Sequence, residues 1–115
     1  MINAENITVN DYADVLKLLG DKTRLSILKI LEQTECCVCL FADLFDISQS
    51  AISQHMRKLK DLDLVKEDPH KQWIFYSLNT DSKYYGFIKS ILEQIPEVVA
   101  DLKKVEADVL EMNCP

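Results

Sequence analysis

The sequence predicts a mainly α-helical domain with a β-hairpin wing, that is, a winged helix-turn-helix that dimerises through its terminal helices. Three observations point to this fold class. Two helical patterns meet at a tight turn within residues 38–60, two β-rich segments follow within 64–78, and an apolar heptad pattern fills 81–112. The length of 115 residues fits a single domain, 1–115.

The N-terminal segment is expected to contain two helices. Residues 1–10 are interpreted as a loose arm, and apolar residues at helical spacing predict a first helix over 11–19, which Gly20 ends. Asp21 is expected to cap a second helix that runs to about Gln33. Its nearly all-round apolar surface predicts that this helix lies at the centre of the core.

The helix-turn-helix is predicted from residues 38–60. Residues 38–45 form its first helix, and Asp46 occupies the turn because Asp tolerates left-handed backbone better than most residues. The second helix follows over 47–60, with Ser48 as its N-cap. No Asp or Glu occurs in that stretch, and its polar face offers Gln for adenine edges and Arg for guanine or phosphate. We therefore interpret it as a DNA recognition helix.

The candidate DNA contacts are the polar residues of this helix and one lysine of the wing. They are Ser48, Gln49, Ser50, Ser53, Gln54, His55, Arg57, Lys58 and Lys71.

A β-hairpin is predicted directly after the recognition helix. Its strands are 64–68 and 71–78, with Pro69-His70 as the turn. Lys66, His70 and Lys71 are candidate phosphate contacts, although the acidic pair Glu67-Asp68 argues against a strongly basic wing.

The C-terminal segment carries apolar residues at alternating spacings of four and three. They are Tyr84, Ile88, Ile91, Ile95, Val98, Leu102, Val105, Val109 and Met112. Such a heptad seam calls for a partner helix, and a chain this short has little core left to cover it. We predict a homodimerisation helix at 81–112, bent or divided at Pro96. Packing of this helix on its own core is the alternative.

The predicted parts of the domain are then an N-terminal arm (1–10), a DNA-binding core (11–80) that includes the wing (64–78), and the dimerisation helix (81–112). Residues 48–80 carry five bases and four acids, whereas the whole chain has a net charge of −6. This small basic excess predicts weak DNA binding by one subunit, which two subunits would strengthen.

Several classes of protein are not expected. No apolar run approaches membrane-spanning length and the N-terminus lacks a signal-peptide pattern, so we expect a cytoplasmic protein with no membrane partner. A Gly-rich phosphate loop and a nucleophile–base set are also absent from the sequence, so we do not expect an enzyme.

The cysteines indicate metal or redox chemistry. Cys36, Cys37 and Cys39 lie within four positions, and Cys114 lies near the C-terminus. On a regular helix the two side chains of a Cys-x-Cys pair point about 200° apart, so that one ion could not reach both. Binding through Cys37 and Cys39 would therefore require irregular backbone at the start of the third helix. We hypothesise that ligation distorts this helix, which supports the recognition helix.

These segments resemble the ArsR/SmtB family of metal-sensing repressors over roughly residues 11–95. The segment Leu19-Gly-Asp-Lys-Thr-Arg-Leu-Ser-Ile-Leu28 is similar to the family signature Leu-x-Asp-Pro-x-Arg-Leu-x-Ile-Leu, with Lys22 in place of Pro. Glu35-Cys-Cys-Val-Cys39 resembles the family's Glu-Leu-Cys-Val-Cys box, and Ser48 to Leu59 resembles its recognition helix.

The resemblance implies a homodimeric repressor whose metal-free form binds double-stranded operator DNA and releases it when metal binds. It implies As(III) or Sb(III) as inducer, with Cd(II), Pb(II) or Zn(II) as alternatives, since thiolates favour thiophilic ions. Cys37 and Cys39 would be ligands, with Cys36 as the third and Cys114 as the competing third or fourth. The family's Asp/His zinc site is not expected, because no His follows His70.

Two other functions remain open. The same fold could sense oxidants or reactive sulfur by cysteine oxidation. A winged-helix protein-interaction module with structural zinc is the second, although the acid-free polar face of the recognition helix argues against it. Some of the cysteines could also be small buried hydrophobic residues.

Overall fold

The computed structural model describes residues 7–70 and 73–96 and shows a winged helix-turn-helix. Its helices in the described part are α1 (Val9–Leu19), α2 (Lys22–Leu31), α3 (Val38–Phe45), α4 (Gln49–Asp61) and α5 (Tyr85–Glu93). Its strands are β1 (Cys36–Cys37), β2 (Val65–His70) and β3 (Trp73–Leu78). Within these described residues, no helix has the length and apolar character needed to cross a membrane.

Helix α1 begins earlier than the sequence predicted. The side chain of Thr8 accepts the Asp11 N–H at 3.1 Å, and the Asp11 carboxylate accepts the Thr8 N–H at 2.9 Å. This reciprocal capping box satisfies two backbone donors and starts the helix at Val9. The assignment of 1–10 as a loose arm is therefore wrong from Thr8 onwards, while residues 1–6 lie outside the described residues.

Helix α2 lies at the centre of the core, as predicted. The Asp21 carboxylate caps it by accepting the Arg24 N–H at 3.0 Å, and the C-terminal half of the helix is buried. The helix ends at Leu31, slightly before the predicted Gln33. Its buried residues share one core with Phe41 of α3 and with Ile52 and Met56 of α4, which are all fully buried.

The turn between α3 and α4 confirms the sequence prediction. Asp46 has φ 56° and ψ 46°, which is left-handed backbone, and α3 ends there. Ser48 caps α4 by accepting the Ala51 N–H at 3.0 Å. Ile52, Met56 and Leu59 are buried and hold one face of α4 against the core. The opposite, polar face of α4 is thereby directed outwards.

The wing contains one more strand than predicted. The antiparallel sheet has the order β1-β3-β2, with Cys36 opposite Tyr76 and Cys37 opposite Phe75. Strand β1 has only two residues and was missed, because pairing with β3 creates it and no local pattern marks it.

The predicted turn at Pro69-His70 is wrong. Both residues belong to β2, with Pro69 opposite Ile74 and His70 opposite Trp73. Strand β2 is an edge strand, where the missing N–H of proline can face away from the ladder. Proline therefore does not mark the end of this strand.

The C-terminal helix begins later than predicted, and its end before Pro96 agrees with the predicted division at that proline. It starts at Tyr85 instead of residue 81, and it ends at Glu93, before Pro96. Tyr84 and Ile88, the first two residues of the heptad seam, are buried within the chain's own core. The seam from Val98 onwards and Cys114 lie outside the described residues, so the dimerisation helix remains a prediction there.

The left-handed backbone at Asp46 generates a test of the turn. We expect the Asp46→Gly variant to be more stable than Asp46→Ala by roughly 1 kcal/mol, because a Cβ is strained at positive φ. Asp14 is an exposed position inside α1 and serves as the control. There we expect Asp14→Ala to be more stable than Asp14→Gly by roughly 1 kcal/mol, because Gly weakens a helix interior. Urea unfolding of the four variants measures both differences. A more stable Ala variant at both positions would contradict the left-handed turn.

Candidate nucleic-acid interface and thiol site

Helix α4 presents a continuous polar surface. Seven of the predicted DNA contacts are exposed, namely Ser48, Gln49, Ser50, Ser53, Gln54, Arg57 and Lys58. Among the described residues, neither Arg57 nor Lys58 forms an ion pair with a carboxylate. The structure thus brings these residues together on one face that retains its positive charge, and such a face is suited to an anionic surface.

The basic residues of the wing are arranged differently. The Lys66 ammonium lies 3.1 Å from the Asp81 carboxylate, and His70 Nε2 lies 3.0 Å from the Asp68 carboxylate. These exposed pairs add little to stability, but Asp81 offsets the charge of Lys66, and Asp68 adds a negative charge to the wing. Lys71, the wing residue among the predicted DNA contacts, lies outside the described residues.

Glu67 of strand β2 links the wing to α4 through a hydrogen bond. Its carboxylate accepts a hydrogen bond from Lys60 Nζ at 2.7 Å and another from the Tyr76 hydroxyl at 3.1 Å. The bond from Lys60 lowers the pKa of Glu67 most, whereas burial, followed by the Glu67 charge, raises the pKa of Tyr76 to about 12. The sequence showed Glu67 only as an acidic departure from a basic wing, since the partner Lys60 belongs to another element.

His55 is placed unlike the other predicted DNA contacts. It is half-buried, and its Nδ1 lies 3.2 Å from Arg24 Nη1. Arg24 also donates from Nε to the Leu18 carbonyl at 2.9 Å, so that it joins α1, α2 and α4. Burial lowers the pKa of His55; Asp21 raises it, while the charges of Arg24 and Lys58 lower it further. A neutral His55 that accepts from Arg24 follows from this environment.

Cys37 and Cys39 meet at the start of α3. Cys37 is the N-cap, with extended backbone at φ −98° and ψ 166°, and Cys39 lies in the first helical turn. Their sulfur atoms are 2.8 Å apart. Because Cys37 precedes the helix, helical geometry does not separate its side chain from that of Cys39. The sequence predicted that irregular backbone is needed to bring the two sulfurs together. The extended backbone of the N-cap Cys37 supplies it, so α3 does not have to unwind.

A cavity of about 290 Å³ adjoins the two sulfur atoms. Its lining residues are Cys37, Val38, Cys39, Gln49, Ser53, Trp73, Ile74 and Tyr76. Both cysteines are buried, with 2% and 9% of their surface exposed. The cavity therefore connects the sulfur pair with α4 on one side and with strand β3 of the wing on the other.

Cys36 occupies a different position. It is fully buried, its Sγ lies 3.6 Å from the Cys37 carbonyl oxygen, and it does not line the cavity. Within the described ranges 7–70 and 73–96, no group of three His, Cys, Asp or Glu residues is arranged to hold a metal ion. The structure thus brings together two of the four predicted sulfur ligands, and Cys114 lies outside the described residues.

The sulfur pair can be tested for its fit to a metal ion. Two thiolates on one tetrahedral zinc ion, at about 2.3 Å each, lie about 3.8 Å apart. The observed separation of 2.8 Å is shorter, so a small outward rotation of either side chain would bring both sulfurs within reach of one thiophilic ion. Completion of the coordination shell requires a further donor.

The fold and the exposed polar face of α4 define the class, a winged helix-turn-helix DNA-binding protein. Residues 21–67 match the family described as bacterial regulatory protein, arsR family. The chain belongs to the arsR family of transcriptional regulators, as its resemblance had implied.

Two curated relatives and one solved structure illustrate the similarity. The arsenical resistance operon repressor of Staphylococcus aureus is 37% identical over 75 residues, which cover 64% of this chain and 70% of the relative. A cadmium resistance transcriptional regulatory protein CadC homolog, also from Staphylococcus aureus, is 34% identical over 85 residues, which cover 73% of this chain and 70% of the relative. The solved structure of reduced HlyU from Vibrio cholerae is 27% identical with a TM-score of 0.66, and the match covers 76% of this chain and 92% of HlyU.

The lowered pKa of His55 predicts a pH-dependent stability. The usual pKa of a histidine is 6.5, and the pKa of His55 in the folded chain is lower. As the pH falls below 6.5, His55 therefore takes up a proton in the unfolded chain before it does so in the folded chain. The free energy of unfolding consequently falls as the pH falls. We expect wild type to lose stability relative to His55→Gln between pH 7 and pH 5, because Gln can accept from Arg24 but does not titrate. Urea unfolding at several pH values measures this difference. Parallel pH profiles for the two proteins would contradict the placement of His55.

Proposed function

We propose that this chain is a metal(loid)-responsive transcriptional repressor that binds operator DNA through α4 and As(III) or Sb(III) through Cys37 and Cys39. The observation that carries the proposal is the sulfur pair, 2.8 Å apart beside the polar face of α4. Membership of the arsR family and relatives named for arsenical and cadmium resistance support it. Such a regulator would act in the cytoplasm.

The proposed DNA complex places α4 in the major groove. The buried stripe of Ile52, Met56 and Leu59 fixes which side of α4 faces outwards. We propose Gln49, Ser53 and Gln54 for base edges. Arg57 and Lys58 would bind phosphate or guanine, as would Lys71 if the wing approaches the backbone. His55 would support the interface through Arg24 rather than contact the bases.

The proposed inducer is a thiophilic ion. Two sulfur donors without His favour As(III), Sb(III), Cd(II) or Pb(II) over Zn(II), and trivalent arsenic takes three sulfurs. The third donor would be Cys36 or Cys114. Cys36 would have to leave the core to reach the cavity, whereas Cys114 lies near the C-terminus of the sequence. We therefore propose Cys114, rather than the buried Cys36, as the third ligand.

A homodimer is also proposed. Helices α1 and α5 are joined by an edge-to-face contact of Tyr12 and Phe87, with ring centroids 4.9 Å apart. Val9 and Leu16 on α1 are 84% and 49% exposed, and Ile95 is only partly buried. Exposed apolar side chains on α1 are suited to contact with a second copy of the chain, in addition to the heptad seam. Two copies would also add their DNA contacts, which are few in one subunit.

The repressor proposal is tested by fluorescence anisotropy with DNA from upstream of the protein's own gene. Under reducing conditions, we expect arsenite to weaken DNA binding at least about tenfold, which corresponds to about 1.4 kcal/mol. Cys37→Ser and Cys39→Ser should bind DNA normally and resist release, because each removes one of the two sulfur donors. Parallel titrations with Cd(II) and Zn(II) rank the ions, and Cys36→Ser and Cys114→Ser identify the third donor.

Three other results would change the conclusion. DNA binding without release by any ion would exclude the metal(loid) response and direct the next titration to oxidants and reactive sulfur. Release that persists in Cys37→Ser and Cys39→Ser would place the inducer elsewhere. A protein that never binds DNA would refute the repressor itself.

The dimer is tested within the heptad seam. We expect Leu102→Glu to yield a monomer by sedimentation equilibrium, because a charge in an apolar seam is costly to bury. Lys103→Glu, next to the seam, should leave the wild-type mass unchanged. Circular dichroism checks that both variants remain helical. A dimeric Leu102→Glu variant, or a monomeric wild type, would contradict the proposal.

A further inference from the structure

We infer that inducer and operator compete directly for one surface, so that the protein cannot bind both at once. This rests on the proposed function and specifies how release occurs. The observation is a single cavity whose lining joins the sulfurs of Cys37 and Cys39 to Gln49 and Ser53 on the polar face of α4. An inducer ion bound to the two sulfurs would therefore lie at the surface that faces the DNA.

Gln49 and Ser53 lie in the N-terminal part of α4. Both are exposed, and they lie in the first turns of the helix, immediately after the Ser48 cap. In a helix-turn-helix complex the N-terminal residues of the recognition helix contact base edges. The part of the protein that must approach DNA most closely is therefore one wall of the cavity.

The other walls leave a bound group little freedom to move away from the DNA. On the inner side, Cys37 and Cys39 are buried against a core that includes fully buried Phe41. On the wing side, Tyr76 is buried, and its hydroxyl is held by Glu67. An ion on the two sulfurs would thus carry its remaining ligands outwards, between α4 and Ile74, which is 44% exposed.

Helix distortion is not needed for this mechanism. The sulfurs already lie 2.8 Å apart while α3 is helical from Val38 to Phe45. The turn to α4 is held separately by Asp46 and by the Ser48 cap. Ligation can therefore leave α4 where it is, and release follows because the ligand occupies space that DNA requires. This differs from the hypothesis that ligation unwinds α3.

The two mechanisms predict different kinetics of release. If binding is exclusive, DNA must dissociate before arsenite binds, and arsenite can only trap the free protein. If ligation acts through α3, arsenite attacks the complex and accelerates dissociation. The rate of release as a function of arsenite concentration therefore distinguishes the two.

The experiment uses stopped-flow anisotropy of a labelled operator bound to the full-length protein. A chase with excess unlabelled operator gives the spontaneous dissociation rate. Above the arsenite concentration that releases half of the DNA at equilibrium, we expect the release rate to match the chase rate within about twofold over about a hundredfold range of arsenite. Cys37→Ser, chased in the same way, should show the spontaneous rate but no release by arsenite.

The possible failures are distinguishable. A release rate that rises with arsenite above the chase rate would overturn the exclusion mechanism, since the ligand would then have bound the DNA complex, and the repressor proposal would stand. Absence of release at equilibrium from wild type would refute the proposed inducer response, and the exclusion mechanism with it.

Discussion

The junction at which β1 becomes α3 is the constraint on which the thiol site depends. Pairing with β3 holds Cys36 and Cys37 in extended backbone, and the helix can begin only at Val38. Cys39 then falls in the first helical turn, where its sulfur meets that of Cys37. If β1 were shorter, or if α3 started one residue earlier, both cysteines would lie on helical backbone and their side chains would diverge. The sheet therefore determines the geometry of the sulfur pair.

Two cations of α2, one buried and one half-buried, join this helix to α1, α4 and α5. The Lys29 ammonium is buried and donates to Glu32 at 2.7 Å and to the carbonyl of Leu92, at the end of α5, at 3.0 Å. A cation at a helix C-terminus is favourable, and removing one partner of such a buried pair typically costs about 3–5 kcal/mol. Arg24 performs the equivalent role for α1, α2 and α4 through Leu18 and His55. Helix α2 thus joins the predicted dimer surface to the predicted DNA surface.

Features that depend on local chemistry could be predicted from the sequence, and features that depend on pairing could not. The Ser48 cap, the left-handed Asp46 and the end of α3 at Phe45 follow from neighbouring residues, and the structure confirms them. Strand β1 and the strand position of Pro69 arise from partners across the sheet, which periodicity does not reveal. The convergence of Cys37 and Cys39 was missed for the same reason. Their spacing predicted divergence only on the assumption that both lie within the helix.

The distribution of charge explains why a small ligand could release the DNA. Lys60 and Lys66 already pair with Glu67 and Asp81, so Arg57 and Lys58 supply most of the unpaired positive charge on α4 and the described part of the wing. Affinity for DNA depends on the number of phosphates neutralised, and few contacts per subunit give weak binding to each half-site. A dimer binds usefully only when both subunits engage, because the second contact is intramolecular. Once the dimer has left the DNA, blocking Gln49 and Ser53 in either subunit would remove that advantage, and the dimer would not bind the operator again.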